Sequence, residues 1–441
     1  MEKTFALISL GCAKNLVNSE QMLYLMSEAG YTLVAEPDGA DLVIINTCGF
    51  IDAAKSEAID NILEMASLKQ QGRLGGIIVT GCLSERYKDT ILDELPEIDA
   101  VLGVGSFGDI AAAADAVTAG RCTRFFGDCN APIDETPRVV TTGPGWAYLK
   151  IAEGCNNFCA FCAIPYIRGR YRSRSMEDIV EEARDLAAHG VKELIVIAQD
   201  ITRYGTDNYG KPSLARLCRA LSEIEGIEWI RLHYLYVDQF DDELVDEIAG
   251  NPKIVKYLDI PIQHINNDIL RKMNRRGTGD DIRVLFRKLR ERIPGLVLRT
   301  SLIAGLPGEG EHEFEELCEF LREARLERVG VFPFSPEEGT PAAKMDYPDS
   351  EIAQRRADLI MELQAPIMES FCQSFVGKTI QVLCEGYDEE AESFFGRCYA
   401  DSPDIDGQVI FTGDAREGEM VSVTITETDD GLLYGEQVTE E

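Results

Sequence analysis

Short apolar strands alternating with helical patterns, then a final run of short strands, predict an α/β chain in three parts. The expected architecture is an N-terminal doubly wound parallel-sheet domain, a central partial (β/α)6 barrel and a C-terminal small antiparallel β-barrel of OB-like size. Three observations carry this. Strand and helix patterns alternate up to about residue 129, six more strand candidates recur between 146 and 372, and five short strands separated by Gly, Asp and Pro fill 375–441. Residues 130–145 hold three prolines and two glycines with little apolar periodicity, and read as a linker.

In the first part, Thr4–Leu10, Leu42–Asn46 and Gly76–Thr80 are apolar runs, leading into helical patterns such as Ser19–Ala29 and Ala53–Leu68. Cys12, Cys48 and Cys82 each fall just past the carboxyl end of one of these strands. In an open parallel sheet those ends share one edge, where ligands bind. Each cysteine has a glycine beside it (Gly11, Gly49, Gly81), which would ease close backbone approach. Spacing alone leaves two readings open, three ligands of a metal cluster or three buried structural thiols. Gly103–Gly108 fits G-x-G-x-x-G but closes the section rather than opening it, so it reads as an ordinary strand-to-helix turn. No Walker-type phosphate loop occurs.

Cys155, Cys159 and Cys162 form a C-x3-C-x2-C segment with no nearby fourth cysteine. A tetrahedral structural zinc site would need that fourth ligand. A cubane iron–sulfur cluster held by three thiolates instead leaves one iron open to a substrate or cofactor.

The six middle strand candidates are Ala147–Ile151, Glu193–Ala198, Trp229–Leu235, Tyr257–Ile262, Val297–Ala304 and Arg328–Phe334. Helical patterns such as Met176–His189 and Asp280–Arg292 separate them. Chemistry in such barrels collects at the carboxyl ends of strands. Here those ends carry the cysteine segment, Gln199–Asp200, Tyr234, Gln263–His264, Gly305 and Ser335. Asp349–Phe371 is a long helical pattern. Lys378–Cys384, Ser393–Tyr399, Gln408–Phe411, Met420–Thr426 and Leu432–Gln437 are the five strands of the tail.

The 441 residues are 45% hydrophobic and 27% charged, as in a globular protein, and no apolar run reaches the length of a membrane span. The short apolar stretch Phe5–Leu10 lacks the pattern of a signal peptide, so a cytoplasmic location is expected. Thirteen cysteines, an odd number, suit metal ligands or buried thiols in a reducing compartment. The formal net charge of −34 argues against capture of nucleic acid and suits a basic partner. From Phe375 onward there are 17 acidic and three basic residues. Such a barrel is poorly built to grip RNA and well suited to a lysine- and arginine-rich protein.

The three-part order, with Cys12, Cys48 and Cys82 in the first part, C-x3-C-x2-C in the second and the small barrel last, resembles the methylthiotransferase branch of the radical S-adenosylmethionine family over essentially the whole chain. Phe161 stands where that family has an aromatic residue before its third cysteine. The stretch Ser9–Glu20 (SLGCAKNLVNSE) is similar to the ribosomal-protein methylthiotransferases rather than the transfer-RNA enzymes. Asn18 departs from the aspartate common there. The resemblance implies a radical SAM core at 146–372, a TRAM domain at 375–441 and two 4Fe–4S clusters. Cys155, Cys159 and Cys162 would hold one, and Cys12, Cys48 and Cys82 an auxiliary one. It implies that S-adenosylmethionine chelates the open iron of the first cluster and is cleaved by one electron to a 5′-deoxyadenosyl radical. That radical would abstract hydrogen from an unactivated carbon, to which the auxiliary cluster delivers a methylated sulfur. The implied substrate is an aspartate β-carbon in the twelfth protein of the small ribosomal subunit, with an electron donor and a sulfur donor as further partners. Beyond the cluster ligands, no catalytic residue is implied.

Single residues are less decisive. Phe161 would stack on the cofactor's adenine. Gln199 and Asp200 would bind its amino group, or Asp200 would cap the next helix. Arg299, inside a strand, would reach the cofactor's carboxylate or a structural partner. Gln263 and His264 end a strand at the proposed active edge. Arg168, Arg170, Arg172 and Arg174 alternate, which predicts an extended segment with all four on one face, serving the cofactor, a cluster or an interface. The other seven cysteines lack ligand spacing. Two rival functions stay in view. One is a transfer-RNA methylthiotransferase acting on a modified adenosine, which the charge and the residues after Cys12 disfavour. The other is a non-catalytic iron–sulfur carrier or RNA-binding module, which the open-iron spacing and the acidic barrel disfavour.

Overall fold

The computed structural model describes residues 3–88 and 90–438. They form two compact units. The first joins the chain up to Thr141 with Ala152–Arg172 and Ser335–Ala343. The second holds Thr142–Ile151, Ser173–Phe334 and the chain from Lys344 onward.

The first unit is built on six parallel strands: β1 (Lys3–Ser9), β2 (Tyr31–Leu33), β3 (Leu42–Thr47), β4 (Gly76–Gly81), β5 (Ala100–Leu102) and β6 (Thr123–Phe125), in the order β2-β1-β3-β4-β5-β6. Every residue of β3 and β4 is buried, because helices cover both faces. Helix α1 (Ala13–Glu28) lays Met22, Leu23 and Met26 on one face, beside Leu42, Ile44 and Ile78. Helix α2 (Asp52–Gln70) lays Ala58, Ile62 and Met65 on the other, against Val43, Ile45, Ile77 and Val79. Two short helices, α3 (Cys82–Arg86) and α4 (Ile91–Glu94), precede α5 (Ile110–Thr118). Gly103–Gly108 is a strand-to-helix turn, passing from β5 through a 3-10 turn into α5.

The predicted strands of this unit are present, and the sequence reading missed β2 and β6. Each is three residues long, too short for a periodicity to show. Helix α1 begins at Ala13, not Ser19, with Cys12 as its N-cap. The polar residues Lys14, Asn15 and Asn18, which obscured its start, are buried.

The segment read as a linker has no strand or helix, yet its first-unit part is fastened to α1. Glu20 is fully buried and pairs with Arg138. It also accepts the Thr141 N–H at 2.7 Å and the Thr141 hydroxyl at 3.0 Å. Glu20→Gln, which removes the charge but not the shape, is expected to destabilise by about 1–3 kcal/mol, read as a lowered urea midpoint.

In the second unit six parallel strands lie in the order Arg328–Pro333, Val297–Ala304, Ile254–Asp259, Trp229–Leu232, Glu193–Ile197, Trp146–Lys150. This is the predicted set, each strand joined to the next through at least one helix. The tail forms a closed five-stranded barrel, as expected. One of its seams, Val409–Thr412 against Leu432–Gln437, runs parallel, so the barrel is not antiparallel throughout. The long helix spans Ser350–Gln373.

The small barrel is joined to the sheet by buried charge. Arg397 donates to Glu193 Oε2 at 2.7 Å, and Arg231 donates to Glu193 Oε1 at 2.7 Å and to the Tyr399 carbonyl at 2.8 Å. Arg328 donates to Asp401 at 2.6 Å, Tyr257 to Asp406 at 2.6 Å, and Ser402 Oγ lies 3.2 Å from His233 Nε2. Glu193 and Arg328 open their strands, so these contacts begin at the amino ends, opposite the edge expected to carry chemistry.

Candidate metal centres

Register explains how three cysteines spread over seventy positions meet. Ser9 pairs with Asn46, Asn46 with Thr80 and Thr47 with Gly81, so β1, β3 and β4 end level. Cys12 follows three residues after β1, and Cys48 and Cys82 follow directly after β3 and β4. The glycines beside them are required by the closeness of these turns. Gly11 has φ +93°, and a Cβ there would lie 2.8 Å from Cys48 Cβ. On Gly49 it would lie 2.8 Å from Leu83 Cα, and on Gly81 (φ +99°) 2.4 Å from the Thr47 carbonyl.

Asn15, fully buried, ties the three turns together. Its amide donates to the carbonyls of Leu10 at 3.1 Å and Thr47 at 3.0 Å, and its Oδ1 lies 3.7 Å from Cys82 Sγ. Asn46 donates to the Asn15 carbonyl at 2.8 Å and to Ser19 Oγ at 2.9 Å. Sequence reasoning missed both asparagines. Their signal was a polar residue inside an otherwise apolar strand or helix start.

The centre is electropositive. Arg168 is 1% exposed. Its Nε lies 3.4 Å from Cys82 Sγ, its Nη1 donates to Glu153 at 2.9 Å, and its Nη2 to Asn15 Oδ1. Burial opposes its charge, but Cys82, Glu153 and Cys12 hold its pKa well above the usual arginine value. Burial also pushes the Cys12 thiol up, and Lys14 and Arg168 outweigh it, so its pKa is lowered. Cys48, with less help, is pushed up to about 11 by burial. Burial raises Cys82 as well, with Arg168 opposing.

The second triplet lies in the same compact unit. Cys155 and Cys159 are buried and Cys162 is half-buried. The segment turns sharply. Gly154 has φ +76°, where a Cβ would lie 2.2 Å from the Arg170 carbonyl, and Phe158 has φ +49°. The Cys155 N–H donates to the Gly169 carbonyl at 3.1 Å, and Cys162 N–H to Cys159 at 3.0 Å. After Cys162, Ala163 and Ile167 pack on Cys82. Glu337, 2% exposed, accepts from Arg86 at 2.8 Å and from Lys55 at 3.1 Å, while Arg86 also donates to the Gly49 carbonyl at 2.8 Å. That brings Ser335–Ala343 to the turn beside Cys48.

The remaining predicted residues fall as follows. Phe161 is half-buried and Gln199 half-buried past its strand end. Asp200 is fully buried and caps the turn after it, accepting the Thr202 N–H at 3.1 Å and pairing with Arg203 at 3.0 Å. Arg299 donates to Asp259 at 2.6 Å. His264 is buried 3.3 Å from Glu309, which also pairs with Arg356 at 2.9 Å. Gln263, φ +70°, donates its N–H to Ser301. The four arginines do not share a face. Arg168 is buried at the first triplet, Arg170 is exposed, and Arg174 donates to the Lys150 carbonyl at 2.7 Å within the other unit. Arg168 ends a short helical turn and Gly169 (φ +73°) reverses the chain, which breaks the alternation.

Among the described residues, no three His, Cys, Asp or Glu side chains converge as ligands of a single ion. Cubane ligands need not do so, since each thiolate binds its own iron. Three thiols at level strand ends, glycine-opened turns and a buried guanidinium against one sulfur fit a thiolate-bound cluster of net negative charge. The residues of the second triplet fit one too, through their spacing and mostly buried position.

Comparison with known proteins bears on the class. Residues 149–321 match the Radical SAM superfamily, residues 4–103 the Uncharacterized protein family UPF0004 and residues 376–438 the TRAM domain. A radical S-adenosylmethionine methyltransferase, TsrM, from Kitasatospora setae, solved with cobalamin and a [4Fe-4S] cluster, superposes with TM-score 0.57 at 15% identity, over 78% of this chain and 77% of that one. That likeness shows the fold alone. Fold, motif and domain order define a radical SAM methylthiotransferase, an enzyme class that implies a 4Fe–4S cluster and S-adenosylmethionine and, through the amino-terminal domain, suggests a second cluster. The ribosomal protein uS12 methylthiotransferase RimO of Acetivibrio thermocellus is 47% identical over 460 residues, covering 100% of this chain and 99% of that protein. Its counterpart in Lachnoclostridium phytofermentans is 49% identical over 432 residues, covering 97% and 98%. The chain belongs to the ribosomal protein uS12 methylthiotransferase family.

Proposed function

We propose that this enzyme adds a methylthio group to the β-carbon of an aspartate in ribosomal protein uS12, with Cys155, Cys159 and Cys162 holding the radical SAM cluster and Cys12, Cys48 and Cys82 an auxiliary one. The observation that carries the reading is the level ending of β1, β3 and β4, which gathers Cys12, Cys48 and Cys82 at one sheet edge. When bound, the first cluster with S-adenosylmethionine would supply radical cleavage and the second the sulfur. The chain's own part is to hold and screen. Asn15 and Asn46 fix the three turns, and the buried Arg168 would offset thiolate charge beside Cys82. Phe161 and Gln199 stand as candidate contacts for the cofactor. Asp200 and Arg299 already serve a cap and an ion pair, so any cofactor contact is shared with those roles.

The acidic barrel supports a basic protein substrate over RNA. Of its three basic residues Arg397 is buried against Glu193, leaving Lys378 and Arg416 exposed among many exposed acids. A cytoplasmic location suits a ribosomal substrate, and among the described residues no helix is long and apolar enough to cross a membrane. The test is anaerobic reconstitution with reductant and S-adenosylmethionine, offering uS12 and transfer RNA separately. Mass spectrometry should find a methylthio group on an aspartate of uS12. Modification of the RNA alone would overturn the assignment.

A further inference from the structure

We propose that Arg168, although carried by the loop that follows the radical SAM cysteines, is a positioning residue for the auxiliary cluster and raises its reduction potential. The inference rests on the reading that Cys12, Cys48 and Cys82 hold that cluster.

Four observations carry it. The guanidinium is buried and its Nε points at Cys82 Sγ from 3.4 Å, hydrogen-bond range for a sulfur acceptor. Its other nitrogens are spent on Glu153 and Asn15, so the fork is held from three sides and cannot swing away. Asn15 in turn bonds the Leu10 and Thr47 carbonyls, so Arg168 is locked to the turns that bear Cys12 and Cys48. The next residue, Gly169, accepts the Cys155 N–H at 3.1 Å. One dipeptide therefore touches a ligand of each triplet, its side chain on one and its carbonyl on the other.

The physical consequence follows from charge. Three thiolates gathered at one sheet edge repel one another, and adding an electron to a cluster there is opposed by the charge already present. An N–H aimed at a ligand sulfur and a fixed positive charge both favour the reduced state, which is how hydrogen bonds to sulfur set cluster potentials. Glu153 partly offsets the guanidinium and also anchors it. Lys14, also buried, adds positive charge near Cys12.

The test isolates the auxiliary cluster by replacing Cys155, Cys159 and Cys162 with alanine in the full chain, then compares Arg168, R168Q and R168K after anaerobic reconstitution. About four irons per chain are expected in the parent. EPR-monitored titration should show R168Q shifted negative, with about a tenfold smaller reduced-to-oxidised ratio at fixed potential, equivalent to about 59 mV for one electron. R168K, which keeps the charge, should recover most of the shift. An unmoved potential in an R168Q protein with full iron would overturn the proposal. So would loss of iron in both variants, which assigns Arg168 a structural part only. If R168Q alone loses iron, R168K decides, and a potential close to the parent's supports the proposal while a shift as large as tenfold overturns it. An iron-free parent would instead overturn the underlying reading of Cys12, Cys48 and Cys82.

Discussion

Replacing Cys12, Cys48 and Cys82 together with alanine is expected to halve the iron content, from about eight to about four per chain, and to bring methylthio transfer below detection. Reductive cleavage of S-adenosylmethionine to methionine should persist. Each triplet has its own local scaffold. The first hangs on the level ends of β1, β3 and β4 and on Asn15, the second on the sharp turn Gly154–Cys162 and the Gly169 carbonyl. Alanine at Cys82 leaves Arg168 its bonds to Glu153 and Asn15, so no buried charge is stranded. The complementary variant, with Cys155, Cys159 and Cys162 replaced, should lose cleavage and transfer together. Iron assay, methionine release and product mass check all three quantities. If the first variant also lost cleavage, the two centres would not divide the reaction as proposed.

Which features were legible in the sequence follows from how each is stabilised. β3 and β4 are buried on both faces, so their Val–Ile runs stood out, and the placement of Cys48 and Cys82 past their ends followed at once. Of the central six strands, Trp146–Lys150, Glu193–Ile197 and Trp229–Leu232 are buried throughout and were legible for the same reason. The triplet Cys155, Cys159 and Cys162 was legible because its ligands are local. What escaped depends on tertiary neighbours. Three-residue edge strands carry no period. Glu20 looked like a surface glutamate on a helix, and only the fold reveals Arg138 beside it. The alternation of Arg168 to Arg174 suggested one extended face because nothing local announces the reversal at Gly169. Arg168 was readable as a cluster residue by its nearness to Cys162. That it lies against Cys82, eighty-six positions earlier, depends on how the loop packs on α3. Arg299 and Asp200 show the converse: a polar residue in or just past a barrel strand invites a cofactor role, while ion-pair partners at 2.6 Å and 3.0 Å supply a structural one.

Arg397→Ala is expected to destabilise the second unit by about 3–5 kcal/mol, the range for breaking a buried ion pair from one side. Arg397 is 1% exposed and Glu193 fully buried. The guanidinium serves Glu193 and Glu385, each at 2.7 Å, and lies over the Trp146 ring, 5.3 Å from its centre. Without it Glu193 keeps only Arg231, and Glu385 loses the cation that opposes the effect of its burial. The pH dependence has a definite sign. Burial pushes the Glu193 carboxyl up, but Arg231 and Arg397 together hold it below the ordinary glutamate value of 4.5. A carboxylate with a depressed folded-state pKa contributes stability that is present above its unfolded value and lost as pH falls through the folded one. In the parent that loss begins only below about pH 4.5. Removing Arg397 raises the folded pKa of Glu193, so the acid-unfolding midpoint should move upward. E193Q and R397M should be non-additive, as expected of partners in contact, while Arg231, which loses its carboxylate in E193Q, keeps only the Tyr399 and Cys398 carbonyls. Urea midpoints at neutral pH and an acid titration followed by circular dichroism check both parts. Because Arg231 and Arg397 fasten the small barrel to the sheet, limited proteolysis should also release the barrel more readily from the Arg397→Ala variant than from the parent.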